Sequence, residues 1–394
     1  MPRLARRAQI VEPFHAMAIG EQAMRLAAAG HRVIRLGLGE PDFGAPPAVR
    51  AAMRDVMDGR PLPYTPALGL PELRADVARF YREQHGVEVD PGRIAITSGA
   101  SAALLLVIAA TTDLGDEVLL ADPSYPCNRQ LISSFGGRVV EVATSAADRF
   151  QLDPASVDRA WTERTGAVMI ASPSSPTGTS IPFDALAAVC ALARARDAWR
   201  IVDEIYLDLS DPALDGTPPR TVLTVDPDAI VINSFSKYFG MTGWRLGWCV
   251  LPEPLVVPVE RLAMNYLLCA SAPAQLAARA CFTPESLAVC ESRRIELLTR
   301  RALVLDGLAR IGLPVPAVPD GAFYVYFDVS GTGLGSWEFC ERALAEAHVA
   351  LTPGRDFGTV TAETHVRLSY TASREDLSEG LDRLERFVAS VRAG

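Results

Sequence analysis

Between residues 90 and 250, seven short apolar, β-branched runs alternate with helix-length segments, and this alternation limits the folds open to the chain more than any other feature. The runs are Ile94 to Thr97, Val118 to Ala121, Arg138 to Val142, Ala167 to Ala171, Arg200 to Asp203, Ala229 to Asn233 and Leu246 to Val250. A strand with one wet face alternates apolar and polar residues. These runs are hydrophobic on both faces, as the strands of a mostly parallel sheet covered by helices must be. The pattern predicts an α/β fold whose large domain holds a mostly parallel seven-stranded sheet. After residue 290 the pattern changes. A long amphipathic helix over Glu291 to Arg310 leads to the aromatic strand "GAFYVYFDV", a helix near Ser336 to Ala347, the strand "HVRLSY" and a last helix from Arg374. A smaller α+β domain, shared between the C-terminal part and the N-terminal segment, is expected. A chain of 394 residues suits two domains. The expected division is 1–40 as N-terminal arm and part of the small domain, 41–290 as the large domain and 291–394 as the small one.

Composition narrows the function classes. With 49% hydrophobic and 22% charged residues there is ample material for a core and no case for disorder. The 47 acidic against 38 basic residues give a net charge of -9, which argues against a nucleic-acid partner. The longest purely apolar run, Ala102 to Ala110, reaches only about half of a membrane span and reads as a buried helix. Glu12, Pro13 and His15 interrupt any signal-peptide core near the start. The seven cysteines are odd in number and scattered, with no C-x-x-C pair and no Cys/His cluster at metal spacing. Reduced thiols in a cytoplasmic protein without a metal site are the expectation.

In open α/β sheets ligands bind beyond the carboxyl ends of the strands, so the turns after these runs are where chemistry is expected. "SGAS" after the first run offers free backbone N–H groups at a helix start, an anion site, or else an ordinary turn with Ser101 as N-cap. "SPSSPTG" follows the fourth run. "DEIY" places Asp203 and Glu204 where a strand ends inside an apolar protein, and buried carboxylates need partners. "SFSK" follows the sixth run and "GWR" stands just before the last, and two serines, a lysine and an arginine at strand ends suit a phosphate or other dianion.

Lys237 is the only lysine in the sequence, so 37 of the 38 basic residues are Arg. A composition that favours Arg wherever permanent charge suffices makes the surviving amine informative. A lysine, unlike an arginine, can lose its proton and attack a carbonyl to form a Schiff base. Its Ser/Gly/aromatic surroundings, next to Arg245, favour that reading over a stray surface residue.

These residues stand in motifs that resemble the pyridoxal-phosphate-dependent class I/II aminotransferases, of the fold type shared with aspartate aminotransferase. In order they are "GLGEPDF" (37–43), "YTPALGLPELR" (64–74), "TSGASAAL" (97–104), "DPSYP" (122–126), "SPSSPTG" (172–178), "DEIY" (203–206), "SFSKYFGMTGWRLG" (234–247), "GAFY" (321–324), "PGRDFG" (353–358) and "VRLSY" (366–370). The resemblance implies that Lys237 tethers pyridoxal 5'-phosphate as a Schiff base and later moves the substrate proton. It implies that Asp203 pairs with the pyridine nitrogen and keeps it protonated, that Tyr206 hydrogen-bonds the cofactor's 3′ oxygen, and that Tyr125 stacks on the ring. Backbone N–H groups of Ala100 and Ser101, with Ser234, Ser236 and Arg245, are implied phosphate ligands. Tyr64 is implied to reach the phosphate of a neighbouring subunit, hence a homodimer with shared sites. Arg367 is implied to clamp the substrate α-carboxylate bidentately with help from the backbone of Gly39.

Two departures bear on this. The family usually has Asn where this chain has Ser175, so the contact expected there to the 3′ oxygen falls to a shorter hydroxyl. Aspartate-preferring relatives often carry a Lys shortly after the loop that here reads Ser101, Ala102, Ala103, so the second cation for a dicarboxylic substrate is missing. With the apolar "MNYLLCASAP" (264–273), this points to a neutral or hydrophobic L-amino acid as donor and to 2-oxoglutarate or pyruvate as acceptor. The nearest alternative keeps the cofactor but breaks another bond, as in a β-eliminating, decarboxylating or ring-closing enzyme. A nicotinamide-dependent reductase is remote, because "SGTGLGS" (330–336) has G-x-G-x-G spacing and no acidic residue ends a following strand at the right distance. A cofactor-binding regulator would need a DNA-binding domain that this sequence does not show.

Overall fold

The seven apolar runs pair into one sheet in a computed structural model that describes residues 2–5, 7–11, 15–212 and 217–393; Glu12 and Pro13 of the N-terminal segment lie outside them. Strands are numbered here in chain order. β1 (Ile34–Arg35) is followed by the sheet strands β2 (Ile94–Thr97), β3 (Glu117–Asp122), β4 (Arg138–Ala143), β5 (Thr165–Ala171), β6 (Trp199–Asp203), β7 (Ile230–Ser234) and β8 (Gly247–Val250). Their order is β2-β8-β7-β6-β5-β3-β4, and only β8 runs against its neighbours. Each predicted run matches one strand to within two residues at either end.

Alternate residues of the central strands feed two separate cores, as a period of two requires. Val168, Ile170, Val202 and Val231 join one apolar cluster, and Ala167, Met169, Ile201, Ile230 and Ile232 the other. The run Ala102 to Ala110 lies in helix Ala100–Thr111, which packs in the second of these clusters and has only short or aliphatic side chains to bury.

Topology brings the chemistry together. β3, β5, β6 and β7 are parallel, so the turns after Asp122, Ala171, Asp203 and Ser234 emerge along one edge. β8 opposes both β2 and β7, with Gly247 across from Thr97 and Ser234, so the end of β2 and the entry to β8 meet the same edge. Six loops far apart in sequence therefore converge.

The remaining strands form a smaller layer: β9 (Tyr324–Asp328), β11 (Thr352–Pro353) and β12 (His365–Ser369) in the antiparallel order β11-β12-β9, with β10 (Val349–Ala350) parallel to β1. Helices His15–Ala28, Pro284–Ile311, Ser336–Ala347 and Arg374–Ala393 surround them, and Ile19, Ile34, Leu308, Phe327, Leu344 and Leu384 share one core. The N-terminal segment thus packs with the C-terminal part, as expected. The long helix begins at Pro284 rather than the predicted Glu291, because Thr283 accepts from Ser286 N at 3.3 Å as its N-cap and Pro284 suits the first turn. No described helix is long and apolar enough to cross a membrane.

Candidate active site

The converging loops line a cavity of about 230 Å³. Ala100, Ser101, Tyr125, Ser175, Asp203, Tyr206, Ser234, Ser236, Lys237, Arg245, Gly39 and Arg367 all border it. Tyr64 alone among the predicted site residues does not, and it is 79% exposed on the single chain.

Lys237 stands at the centre, on the turn after β7. Its Nζ donates to the Gly39 carbonyl at 2.7 Å and lies 5.7 Å and 5.6 Å from the ring centres of Tyr206 and Phe323. Burial is the main cause that lowers its pKa below the ordinary 10.5, with Arg367 and Arg245 adding repulsion and Tyr324 and Glu40 opposing. Asp203 ends β6 fully inside the protein, accepting a hydrogen bond from Ile205 N at 3.1 Å. Burial raises its pKa from 3.8 to about 6, with the Ile205 amide and then the Lys237 charge pulling the other way. Its neighbour Glu204 points elsewhere: it accepts from Thr221 Oγ1 at 2.8 Å and Val222 N at 2.7 Å, so the two carboxylates of "DEIY" divide between site and scaffold.

One end of the cavity is built for an anion. Helix Ala100–Thr111 opens on Gly99 at φ 82°, with no side-chain cap. This corrects the reading of Ser101 as N-cap: it lies inside the first turn, and the first N–H groups of the helix have no intrahelical acceptor. The Arg245 guanidinium lies against that turn, where a Cβ on residue 99 would sit 2.6 Å from Nη2. Arg245 Nη1 donates to the Thr242 carbonyl at 3.0 Å. Ser234 Oγ donates to the Leu246 carbonyl at 3.2 Å and accepts from Ser236 N at 3.0 Å, so those two serines brace the same corner.

The other end holds Arg367, on β12 and 3% exposed. Nη1 donates to Ser175 Oγ at 3.1 Å, and Nη2 to the Gly37 carbonyl at 2.7 Å and Thr352 Oγ1 at 3.4 Å, whereas Nε is buried without a partner. Tyr324 and Phe357 carry the guanidinium on their faces, 4.5 Å and 4.8 Å from the ring centres. Tyr324 is a site residue that motif reading missed. Its hydroxyl lies 2.8 Å from that of Tyr206, and a Cβ on Gly39 would fall 2.0 Å from it. The signal was present in "GAFY", whose tyrosine opens β9 beside the Arg of β12, since Tyr324 pairs with Ser369 and Arg367 with Tyr326.

Pyridoxal phosphate fits this donor set. An uncapped helix start with an adjoining guanidinium takes a phosphate, and a buried carboxylate with no cation in hydrogen-bond contact suits a protonated ring nitrogen. Among the described residues no group of three or more His, Cys, Asp or Glu is placed to hold a metal ion.

Comparison with known proteins agrees. The family model for aminotransferase class I and II matches residues 31–384. The chain is 39% identical over 381 residues to valine--pyruvate aminotransferase of Mycobacterium tuberculosis, covering 96% of this chain and 97% of that protein. It is 36% identical over 391 residues to aspartate/prephenate aminotransferase of Thermus thermophilus, covering 98% and 99%. Its fold superposes on a crystal structure of an aminotransferase from Mycobacterium tuberculosis with a TM-score of 0.94 at 38% identity, covering 99% of this chain and all of the other. It superposes on Thermus thermophilus aspartate aminotransferase with maleate at 0.92 and 35% identity, covering 98% of this chain and all of that one. These relatives do not favour the lyase alternative. The chain belongs to the class I and II aminotransferase family and is a pyridoxal-phosphate-dependent aminotransferase.

Proposed function

We propose that the enzyme takes its amino group from a neutral or hydrophobic L-amino acid and passes it to 2-oxoglutarate or pyruvate. The observation that carries this is the lining of the cavity. Its basic side chains are Lys237, Arg245 and Arg367, each with a task of its own, and its remaining wall includes Ala16, Leu38, Leu104 and the acidic Glu40. A second substrate carboxylate would meet no free cation among these lining residues, which add the negative Glu40. The Mycobacterium tuberculosis relative is named for valine and pyruvate and the Thermus thermophilus relative for aspartate and prephenate, and the lining supports the first kind of donor.

Bound pyridoxal phosphate supplies an aldehyde that condenses with amines and a protonated ring that accepts the electrons released at the substrate Cα. The chain supplies the rest. Arg367, fixed by Gly37, Ser175 and Thr352, grips the α-carboxylate and sets the direction of the Cα–H bond. Lys237, whose pKa burial lowers, would take the proton from the substrate Cα and return it two atoms away, on the carbon of the cofactor's aldehyde group. Asp203 would pair with the protonated ring nitrogen, Tyr206 would donate to the 3′ oxygen and Tyr125 would stack on the ring. Ala100 and Ser101 N–H, Ser234, Ser236 and Arg245 would hold the phosphate.

Surface chemistry supports a homodimer. Tyr64 and the apolar side chains of Met264, Tyr266, Leu267 and Leu268 are exposed on the single chain, and exposed apolar clusters such as that of 264–268 suit an interface between subunits. On this reading Tyr64 completes the partner's phosphate site, residues 41–290 bind the cofactor, and residues 1–40 with 291–394 close over the substrate. Seven cysteines, all unpaired, support a reducing compartment such as the cytoplasm.

A panel of donors assayed with both acceptors tests the specificity. Valine-type donors are expected to exceed aspartate in kcat/KM by about tenfold or more, the value of one missing charged hydrogen bond. A preference for aspartate or glutamate overturns it.

A further inference from the structure

Residue 175 is where this chain departs from its family, and the neighbouring geometry shows where the missing polarity has gone. Ser175 Oγ accepts from Arg367 Nη1 at 3.1 Å. That contact braces the carboxylate clamp, and a serine oxygen reaches one bond less far from Cβ than the nitrogen of an asparagine amide. On the opposite side, Tyr324 brings a second phenol to 2.8 Å from the Tyr206 hydroxyl, with both residues buried. The fit is tight: only a glycine at 39 leaves room for that hydroxyl, and the Gly39 carbonyl is already taken by Lys237 Nζ at 2.7 Å. In a pair of hydroxyls only one proton lies between the two oxygens; the other remains free to point outward. Tyr324, wedged between Gly39 and the guanidinium of Arg367, borders the cavity as Tyr206 does, and either hydroxyl can donate in the pair; with the Tyr206 O–H committed to the 3′ oxygen, the proton between the two oxygens is that of Tyr324.

We propose that Tyr324 is a positioning residue that donates to the Tyr206 oxygen and so aims the Tyr206 O–H at the cofactor's 3′ oxygen, while Ser175 serves the Arg367 clamp instead. The hydroxyl pair provides at that oxygen what residue 175 provides elsewhere in the family. Burial keeps Tyr206 protonated by raising its pKa well above the ordinary 10. A donor that is itself hydrogen-bonded through its oxygen is a stronger donor. The inference rests on the placement of Tyr206 at the 3′ oxygen, and its test separates the two.

The readout is the pH midpoint of the bound cofactor's near-visible absorption, measured on holoenzyme without substrate, with cofactor affinity by equilibrium dialysis. Donors to the 3′ oxygen favour its charged form and lower the midpoint. Tyr324→Phe is expected to raise the midpoint by roughly half a pH unit, about threefold in proton affinity. Ser175→Ala is expected to leave the midpoint in place and to raise KM for the amino donor more than it lowers kcat. A Tyr324→Phe midpoint equal to wild type, or an upward shift in Ser175→Ala as large as in Tyr324→Phe, overturns the proposal. Tyr206→Phe is the control: a midpoint that stays put there refutes the placement of Tyr206 itself, and the proposal with it.

Discussion

At the scale of single residues, the site turns on two buried ionisable groups pushed in opposite senses by the same burial. Lys237 is held toward its neutral form and Asp203 is raised to about 6. On the proposed role, Lys237→Arg replaces an amine that can lose its proton by a permanent charge: turnover is expected to fall by at least about a thousandfold. Stopped-flow assay of that variant with a good donor checks this. For Asp203 the sign is fixed by its raised pKa. The folded, cofactor-free protein binds that proton more tightly than the unfolded chain, so the group's contribution to stability is full below 3.8 and is lost as pH rises through 6. Between pH 5 and pH 8 the loss comes to roughly 1 kcal/mol. Unfolding of cofactor-free wild type and Asp203→Asn at both pH values is expected to show a loss larger by that amount in wild type, since Glu204, which burial raises to about 7, titrates in both. Asp203 was legible because a carboxylate at the end of an apolar strand is conspicuous, and Lys237 because it stands alone. Tyr324 was not: an aromatic that opens an aromatic strand resembles core, and its hydroxyl gains meaning only from Tyr206, 118 positions away.

At the scale of elements, the anion end depends on one turn with no side chain and the substrate end on one helix start. Gly99 combines φ 82° with an Arg245 guanidinium 2.6 Å from where a Cβ would stand. Gly99→Ala is expected to displace Arg245 and weaken cofactor binding by about tenfold, close to the value of one charge-assisted hydrogen bond. Equilibrium dialysis reads it. Helix His15–Ala28 is held by Asp356, which accepts from His15 N at 2.9 Å, Ala16 N at 2.8 Å and His15 Nδ1 at 2.8 Å. Ala16 borders the cavity, so loss of this cap should loosen the wall around the substrate. Asp356→Ala is expected to cost about 1 kcal/mol of stability, as N-cap deletions do, and to raise donor KM while cofactor affinity stays the same. The sheet was readable from its two-faced strands. This helix cap was not, because its acceptor lies 340 residues further along the chain.

At the scale of the whole molecule, one chain brings every predicted site residue together except Tyr64. If subunits share sites, a chain carrying Tyr64→Phe and a chain carrying Lys237→Ala repair each other when mixed. The hybrid has one site with an intact lysine and a partner's intact tyrosine. Hybrid dimers formed by co-expression are expected to bind cofactor at that site with wild-type affinity, whereas a Tyr64→Phe homodimer binds it more weakly; equal affinity in both removes Tyr64 from the site.

The hydrogen bond from Lys237 to the Gly39 carbonyl has a practical consequence. Because the sequence contains a single ε-amine and that amine lies inside the site, amine-directed reagents can act as a gauge of occupancy. A cofactor-free chain offers one ε-amine to such a reagent and a chain whose Lys237 holds the cofactor offers none, so the adduct beyond the α-amine, which labels in both, gives the loaded fraction by intact mass, independent of colour or turnover.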